Sequence, residues 1–318
     1  MYFPVAGVEV NPLVPPLVAF VISLFTSMGG VSGAFLLLPF QVSMLGFTSP
    51  AVSSTNQLFN IVAIPSGVFR YIREGRMVWP LTWIVIIGTL PGVLAGAIVR
   101  IKYLPDPKHF KLFVGFVLLY IGGKLLKDLL LKKKEVGRPS TEERFQQHLK
   151  RQILTQESSL PHPPAQFSRV TVQQWTCCRI VYDFCGETFT VNAIGVMVLS
   201  LIVGMVGGVY GIGGGAIIAP FFVSFFGLPI YTVAGATLMG TLVTSVAGVI
   251  FYQILAPYYP GMVITPDWLL GVLFGAGGFA GMYCGARLQK FVPAKFIKWI
   301  LVLCLLSTAG KYIWPFLS

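Results

Sequence analysis

The chain has 318 residues, a formal net charge of +12, 55% hydrophobic but only 11% charged residues, and a mean hydropathy of +0.78. Soluble globular chains carry about 25% charged residues, so these numbers exclude a water-covered globule, which would lack the polar surface to coat itself. The basic excess forms no patch with interleaved aromatics, which argues against nucleic-acid binding; it fits Lys and Arg gathered on cytoplasmic loops instead.

No Lys or Arg precedes the first apolar stretch and no small-residue cleavage site follows it, so that stretch reads as a retained segment. A spanning helix needs about 20 residues. The run 13–45 is too long for one span and is interrupted by Gly29, Gly30 and Gly33. Runs 51–71, 79–100 and 109–131 fit one span each. A polar linker at 132–187 follows, with nine Lys/Arg, six Asp/Glu and Pro139, Pro161, Pro163 and Pro164. Within it, 140–155 reads as a short surface helix capped by Ser140 with Glu143, and Trp175 to Phe184 as an apolar stretch lying along the membrane surface. The run 188–226 is again over-long, broken by Gly207, Gly208, Gly211, Gly213, Gly214 and Gly215, and 232–255, 268–288 and 295–314 fit one span each. Glycine disfavours a helix interior by roughly 1 kcal/mol, so each long run predicts two helical pieces joined by an irregular turn inside the membrane.

The chain also repeats itself. A shift of 181 residues aligns 26–71 with 207–252 without a gap, and 12 of the 46 positions are identical, among them Gly30/Gly211, Gly33/Gly214, Pro39/Pro220, Phe40/Phe221, Gly67/Gly248 and Tyr71/Tyr252. A shift near 189 then relates Trp79 to Trp268, Gly92 to Gly281 and Gly96 to Gly285. If each broken run is a hairpin that enters and leaves on one side, loops 72–78, 132–187 and 289–294 share the cytoplasmic face. Loops 46–50 and 256–267, which hold no Lys or Arg, then lie outside with both termini. Arg100–Lys111, with four basic residues, is the one violation. The expected fold class is therefore all-α: a polytopic membrane protein of two inverted repeats, each a glycine-broken helix pair followed by three helices. The first repeat covers 1–131, the basic cytoplasmic linker 132–187 and the second repeat 188–318. Inverted repeats with broken helices and a midplane site are a recurring transporter plan.

Helices starting near Gly33 and Gly214 would begin inside the membrane. The first N–H groups of a helix have no internal partner, and the N-terminus carries about half a positive charge. Two such ends facing one another bind an anion without Lys or Arg. The candidate substrate-binding residues are accordingly Ser32, Gly33 and Ala34 with Gly213, Gly214 and Gly215. Ser53, Asn56, Gln57 and Asn60 share one helix face, and Thr237, Thr241 and Thr244 share another; Asn56, Gln57, Asn60, Thr237 and Thr241 complete the shell. No Asp or Glu lies deep in a span, and no nucleophile or acid–base pair does either, so no enzyme is indicated. His109, His148 and His162 fall outside the spans. Cys177, Cys178 and Cys185 lie in the linker, and Cys284 and Cys304 read as small hydrophobes in helices. No metal site or cofactor is expected.

The run Gly211-Ile-Gly-Gly-Gly-Ala-Ile-Ile-Ala-Pro220-Phe, then Gly227-Leu-Pro, then Ala234-Gly-Ala-Thr237, resembles the signature of the sulfite exporter TauE/SafE family. Gly277 to Leu288 resembles its later glycine-rich helix, and the first half carries a variant with Val31-Ser-Gly in place of Ile-Gly-Gly. The resemblance implies export of sulfite or a related sulfur-containing anion from the cytoplasm by a multi-pass plasma (inner) membrane protein. Its expected partners are a small anion and the lipid bilayer, with a homodimer left open. The alternative is a channel or carrier for another small anion, an organosulfonate or a neutral solute.

Overall fold

The computed structural model describes residues 1–28, 31–130, 169–288 and 294–317. The first half folds as α1 (Val14–Met28), α2 (Ala34–Ser43), α3 (Ala51–Arg73), α4 (Trp79–Lys102) and α5 (Pro107–Leu130). The second half folds as α6 (Ala193–Tyr210), α7 (Ala219–Phe226), α8 (Ile230–Leu255), α9 (Trp268–Leu288) and α10 (Ala294–Leu317). Among the described residues α4, α5, α6, α8 and α9 are long and apolar enough to cross a membrane. The 23-residue α3 is as long but more polar. Its polar face is turned wholly inwards: Ser53, Ser54, Thr55, Asn56, Gln57 and Asn60 are fully buried. Large apolar side chains such as Leu17, Phe69, Ile87, Phe116 and Ile250 point outwards. That distribution suits a molecule whose outer solvent is lipid.

Short strands accompany the helices, an addition to the all-α expectation. β1 (Tyr2–Phe3) and β2 (Val8–Glu9) form an N-terminal hairpin. In the region expected to be linker and helix, β3 (Thr171–Trp175), β4 (Arg179–Phe184) and β5 (Glu187–Asn192) form an antiparallel meander. Their signal is local: Ile180, Tyr182 and Phe184 alternate into the core, the period of a strand, and Glu187–Asn192 is rich in Thr, Val and Phe. Burial, with Glu187 nearby, pushes the Cys185 thiol at the β4–β5 turn up to about 11, so it stays protonated. Helix α6 therefore begins only at Ala193, where Asn192 Oδ1 accepts the Gly195 N–H at 3.1 Å as an N-cap. The helix expected at 140–155 lies outside the described residues.

The helices that the sequence repeat makes equivalent pack in matching ways. At the centre α3 and α8 run antiparallel: Tyr71 lies against Gly235, Gly67 against Leu238, Asn60 against Ser245, Gln57 against Gly248 and Ser53 against Tyr252. Outside this pair α1 lies parallel to α9, with Gly277, Gly281 and Gly285 under the carbonyls of Pro16, Phe20 and Leu24. Helix α4 lies parallel to α6, with Gly88, Gly92 and Gly96 under the carbonyls of Met197, Leu201 and Met205. Shifting α1 by 181 and α4 by 189 turns one set of contacts into the other, residue for residue. Small residues at every fourth position let helix backbones approach closely. Helices α5 and α10 also pack on one another.

Among the described residues one carboxylate, that of Asp267, is fully buried, at a helix start. Asp267 accepts the Leu270 N–H at 3.0 Å, capping α9, and the Ala6 N–H at 3.2 Å, tying down the N-terminal hairpin. Asp267→Ala should cost about 1 kcal/mol for the lost cap, read as a lower unfolding temperature with anion flux retained. An unchanged unfolding temperature would remove that role.

Candidate functional site

The glycine-bearing connections α1–α2 and α6–α7 meet on the polar face of α3. Asn56 donates from Nδ2 to the carbonyls of Ala34 (3.0 Å) and Gly211 (3.1 Å) and accepts from Gln41 Nε2 (3.2 Å). One turn on, Asn60 donates to the Ile212 carbonyl (2.9 Å) and Ser245 Oγ (3.2 Å) and accepts from the Ser32 hydroxyl. The Tyr210 hydroxyl donates to the Phe35 carbonyl at 2.7 Å. That carbonyl is vacant because Pro39, four residues on, has no N–H to offer it.

Backbone conformation explains the glycines of the second connection. Gly211 and Gly213 have φ of +80° and +81°, the left-handed region that favours glycine. Gly211 also lies directly over Ser53, where no Cβ fits. Gly213 faces Thr241 and Ser245, Gly214 faces Thr89, and Gly215 faces the Thr237 carbonyl and Thr241. Ser32, Gly33 and Ala34 stand at the start of α2, beside Asn60, Ser23 and Asn56. The structure thus brings all eleven candidate residues into one buried region around the α3–α8 crossing.

Two details differ from the sequence expectation. Helix α7 begins at Ala219, not near Gly214, and residues 214–218 form consecutive turns. Gly214, Gly215 and the β-branched Ile217 and Ile218 disfavour helix, whereas Pro220 sits readily in a first turn. In the first half Ala34 is followed by Phe35 and three leucines, and the helix starts there directly. The second difference concerns the side-chain donors. Both N–H groups of Asn56 and Asn60 are engaged, chiefly by carbonyls of the two connections, so these residues act as braces. The Thr237 and Thr241 hydroxyls donate back to their own helix, to Ala234 O (3.1 Å) and Thr237 O (2.8 Å).

The donors left over are mostly backbone. Ser32 Oγ accepts the Ala34 N–H at 3.2 Å and Thr244 Oγ1 the Gly214 N–H at 3.0 Å. Among the described residues the N–H groups of Gly33, Phe35, Gly213 and Gly215 show no hydrogen bond to a protein acceptor, although all four residues are buried. Neither amide atom of the buried Gln57 has a hydrogen-bond partner, and Gln41 Oε1 and Ser53 Oγ have none. An unmet N–H costs several kcal/mol in hydrocarbon, so a concentration of them marks a place that water or an acceptor-rich ligand occupies.

A model of the sulfite exporter TauE/SafE family matches residues 16–312, which span both connections and every candidate residue. The chain belongs to the sulfite exporter TauE/SafE family. No curated protein and no solved structure matches it. As a TauE/SafE member it is a multi-pass membrane transporter, and its substrate class is a small anion. Gln41, Tyr210 and Ser245 also join this site and were not among the residues predicted. Gln41 had a signal, as the lone amide in the mostly apolar α2, and Ser245 lies one turn beyond Thr241 on the Thr237 face. Tyr210 had none, because its role depends on a carbonyl 175 residues away.

Proposed function

We propose that this TauE/SafE chain exports a small sulfur oxyanion, sulfite foremost, from the cytoplasm across the plasma membrane. The single observation that carries this reading is the set of buried, unpaired N–H donors gathered at the two glycine connections, with the Gln57 amide beside them. An oxyanion offers acceptors only and is complementary to such a nest of amides. In this reading the backbone of Ser32–Ala34 and Gly213–Gly215 holds the oxygens, Gln57 donates from Nε2, and Asn56, Asn60, Thr237 and Thr241 hold the two connections in place.

The halves are inverted repeats in this reading. Equivalent helices α3 and α8 lie antiparallel, and a two-fold axis that exchanges antiparallel helices runs perpendicular to them, hence in the membrane plane. The glycine-bearing pairs are hairpins, the linker 132–187 is cytoplasmic, and loops 46–50 and 256–267 face outside, following the basic residues.

The test is flux of labelled sulfite from proteoliposomes under an imposed membrane potential. Saturable flux that responds to potential is expected; indifference to potential points to a neutral solute. A point variant tests the site. A Cβ at Gly248 lands on the Gln57 amide, the movable end of a flexible side chain. Gly248→Ala should therefore displace Gln57, lowering sulfite flux at least about tenfold, an effect of about 1.4 kcal/mol, with little change in thermal unfolding. Wild-type flux in this variant takes Gln57 out of the site.

A further inference from the structure

The stripe Gly88, Gly92, Gly96 on α4 continues at the same spacing to Arg100, which is fully buried. Its guanidinium lies 3.7 Å from the centroid of the Phe110 ring, and Nη1 donates to the Leu104 carbonyl. Nε and Nη2 have no hydrogen-bond partner, and among the described residues no carboxylate pairs with Arg100. Among the described residues the other deeply buried arginine, Arg76, has the carboxylate of Glu74. Arginine does not shed its charge to escape burial, and a buried cation without a counter-charge is strongly unfavourable.

The surroundings of Arg100 are also short of partners. Tyr252, fully buried, sits next to it. The Tyr252 and Ser53 hydroxyls face one another, and neither makes a well-formed hydrogen bond. Ser53 lies one turn before Asn56 and Gln57 on the inward face of α3, beneath Gly211. Polar groups in need of partners therefore extend from Arg100 by way of Tyr252 and Ser53 towards the glycine connections. Tyr259, Met262 and Ile264, from the segment joining α8 to α9, pack over Tyr252 in a small apolar cluster separate from the main core.

We propose that Arg100, Tyr252 and Ser53 form a second oxyanion site, a station between the glycine connections and the outer face. It rests on the reading that this chain exports such an anion, with loop 256–267 outside. The vacant Nε–Nη2 edge of the guanidinium grips two oxygens of one oxyanion side-on, and the two hydroxyls donate to a third. The ligand class is a divalent tetrahedral or pyramidal oxyanion, which supplies the counter-charge that the protein withholds.

Wild type, Arg100→Gln and Arg100→Lys are compared in proteoliposomes by initial rates of labelled sulfite flux, and in detergent by sulfite-dependent thermal stabilisation, at mildly alkaline pH. Arg100→Gln should raise the half-saturating sulfite concentration at least about tenfold in both readouts. Competition by methanesulfonate, a monoanion, should weaken less, because the lost charge acts on fewer charges. Arg100→Lys should regain part of the affinity for sulfite. A merely structural arginine would lower the unfolding temperature without anion but leave half-saturation and the sulfite-to-sulfonate preference unchanged; that result overturns the proposal. If Arg100→Gln fails to fold, Arg100→Lys decides: it keeps the charge but loses the bidentate edge, and an unaltered half-saturation overturns the proposal. A wild type that neither moves sulfite nor is stabilised by it overturns the transport reading and this one together. Normal wild-type values with an unaltered Arg100→Gln overturn this one alone.

Discussion

Asn56→Leu is expected to abolish sulfite flux and to lower the unfolding temperature in the same experiment. The side chain is fully buried, and its two N–H groups hold the carbonyls of Ala34 and Gly211 while Oδ1 takes the Gln41 amide. Leucine fills the volume but leaves the Gly211 carbonyl and the Gln41 amide without partners, and the Ala34 carbonyl with only its own helix's bond. Each buried orphan costs roughly 1–3 kcal/mol, so the total is on the order of several kcal/mol. The Ala34 and Gly211 connections would then no longer be tied to one another. Asn60→Leu should behave alike, stranding the Ile212 carbonyl and the Ser32 hydroxyl. Thermal unfolding in detergent and flux in proteoliposomes separate two roles. Loss of flux at full stability would return Asn56 to the direct anion shell; loss of both marks it as a brace.

The second large effect concerns helix packing. Gly281→Ala and Gly92→Ala should destabilise the protein by similar amounts, although they lie on different helices in different halves. A Cβ at Gly281 collides with the Phe20 carbonyl, and one at Gly92 with the Leu201 carbonyl. Backbone does not yield as a side-chain tip does, so α1 must move off α9, or α6 off α4. Overpacking of this kind costs typically about 1–3 kcal/mol, and the two costs should add because the sites share no partner. Gly310→Ala, on α10 with nothing near its Cβ position, is the control and should leave stability unchanged or raise it by under about 1 kcal/mol. Equal unfolding temperatures for Gly281→Ala, Gly92→Ala and Gly310→Ala would refute the close-packing role.

The spans were legible in the residues because hydropathy is a property of each segment by itself. The run 268–288 coincides with α9, and 79–100 falls two residues short of the end of α4. The repeat was legible for the same kind of reason: glycine and proline requirements recur wherever one backbone path is used twice, and the pairing of Gly92 with Gly281 in the alignment reappears as a shared carbonyl contact. The burial of one polar face could be read too, since Ser53, Asn56, Gln57 and Asn60 in an apolar bundle have only the interior to point into.

Sequence by itself thus determined a membrane-embedded helical chain, the spans that build it and the polar helix face that turns inwards. Tertiary structure alone decided which atom serves which partner. Asn56 reads from the sequence as an anion donor, and only the fold brings its amide to the Gly211 carbonyl, 155 residues away. Arg100 looked like a loop charge, although its place on the glycine stripe of α4 already pointed inwards. The physical reason is that hydropathy and backbone preference act within a few residues, whereas hydrogen-bond and charge pairing are settled only when distant segments come within about 3 Å of each other.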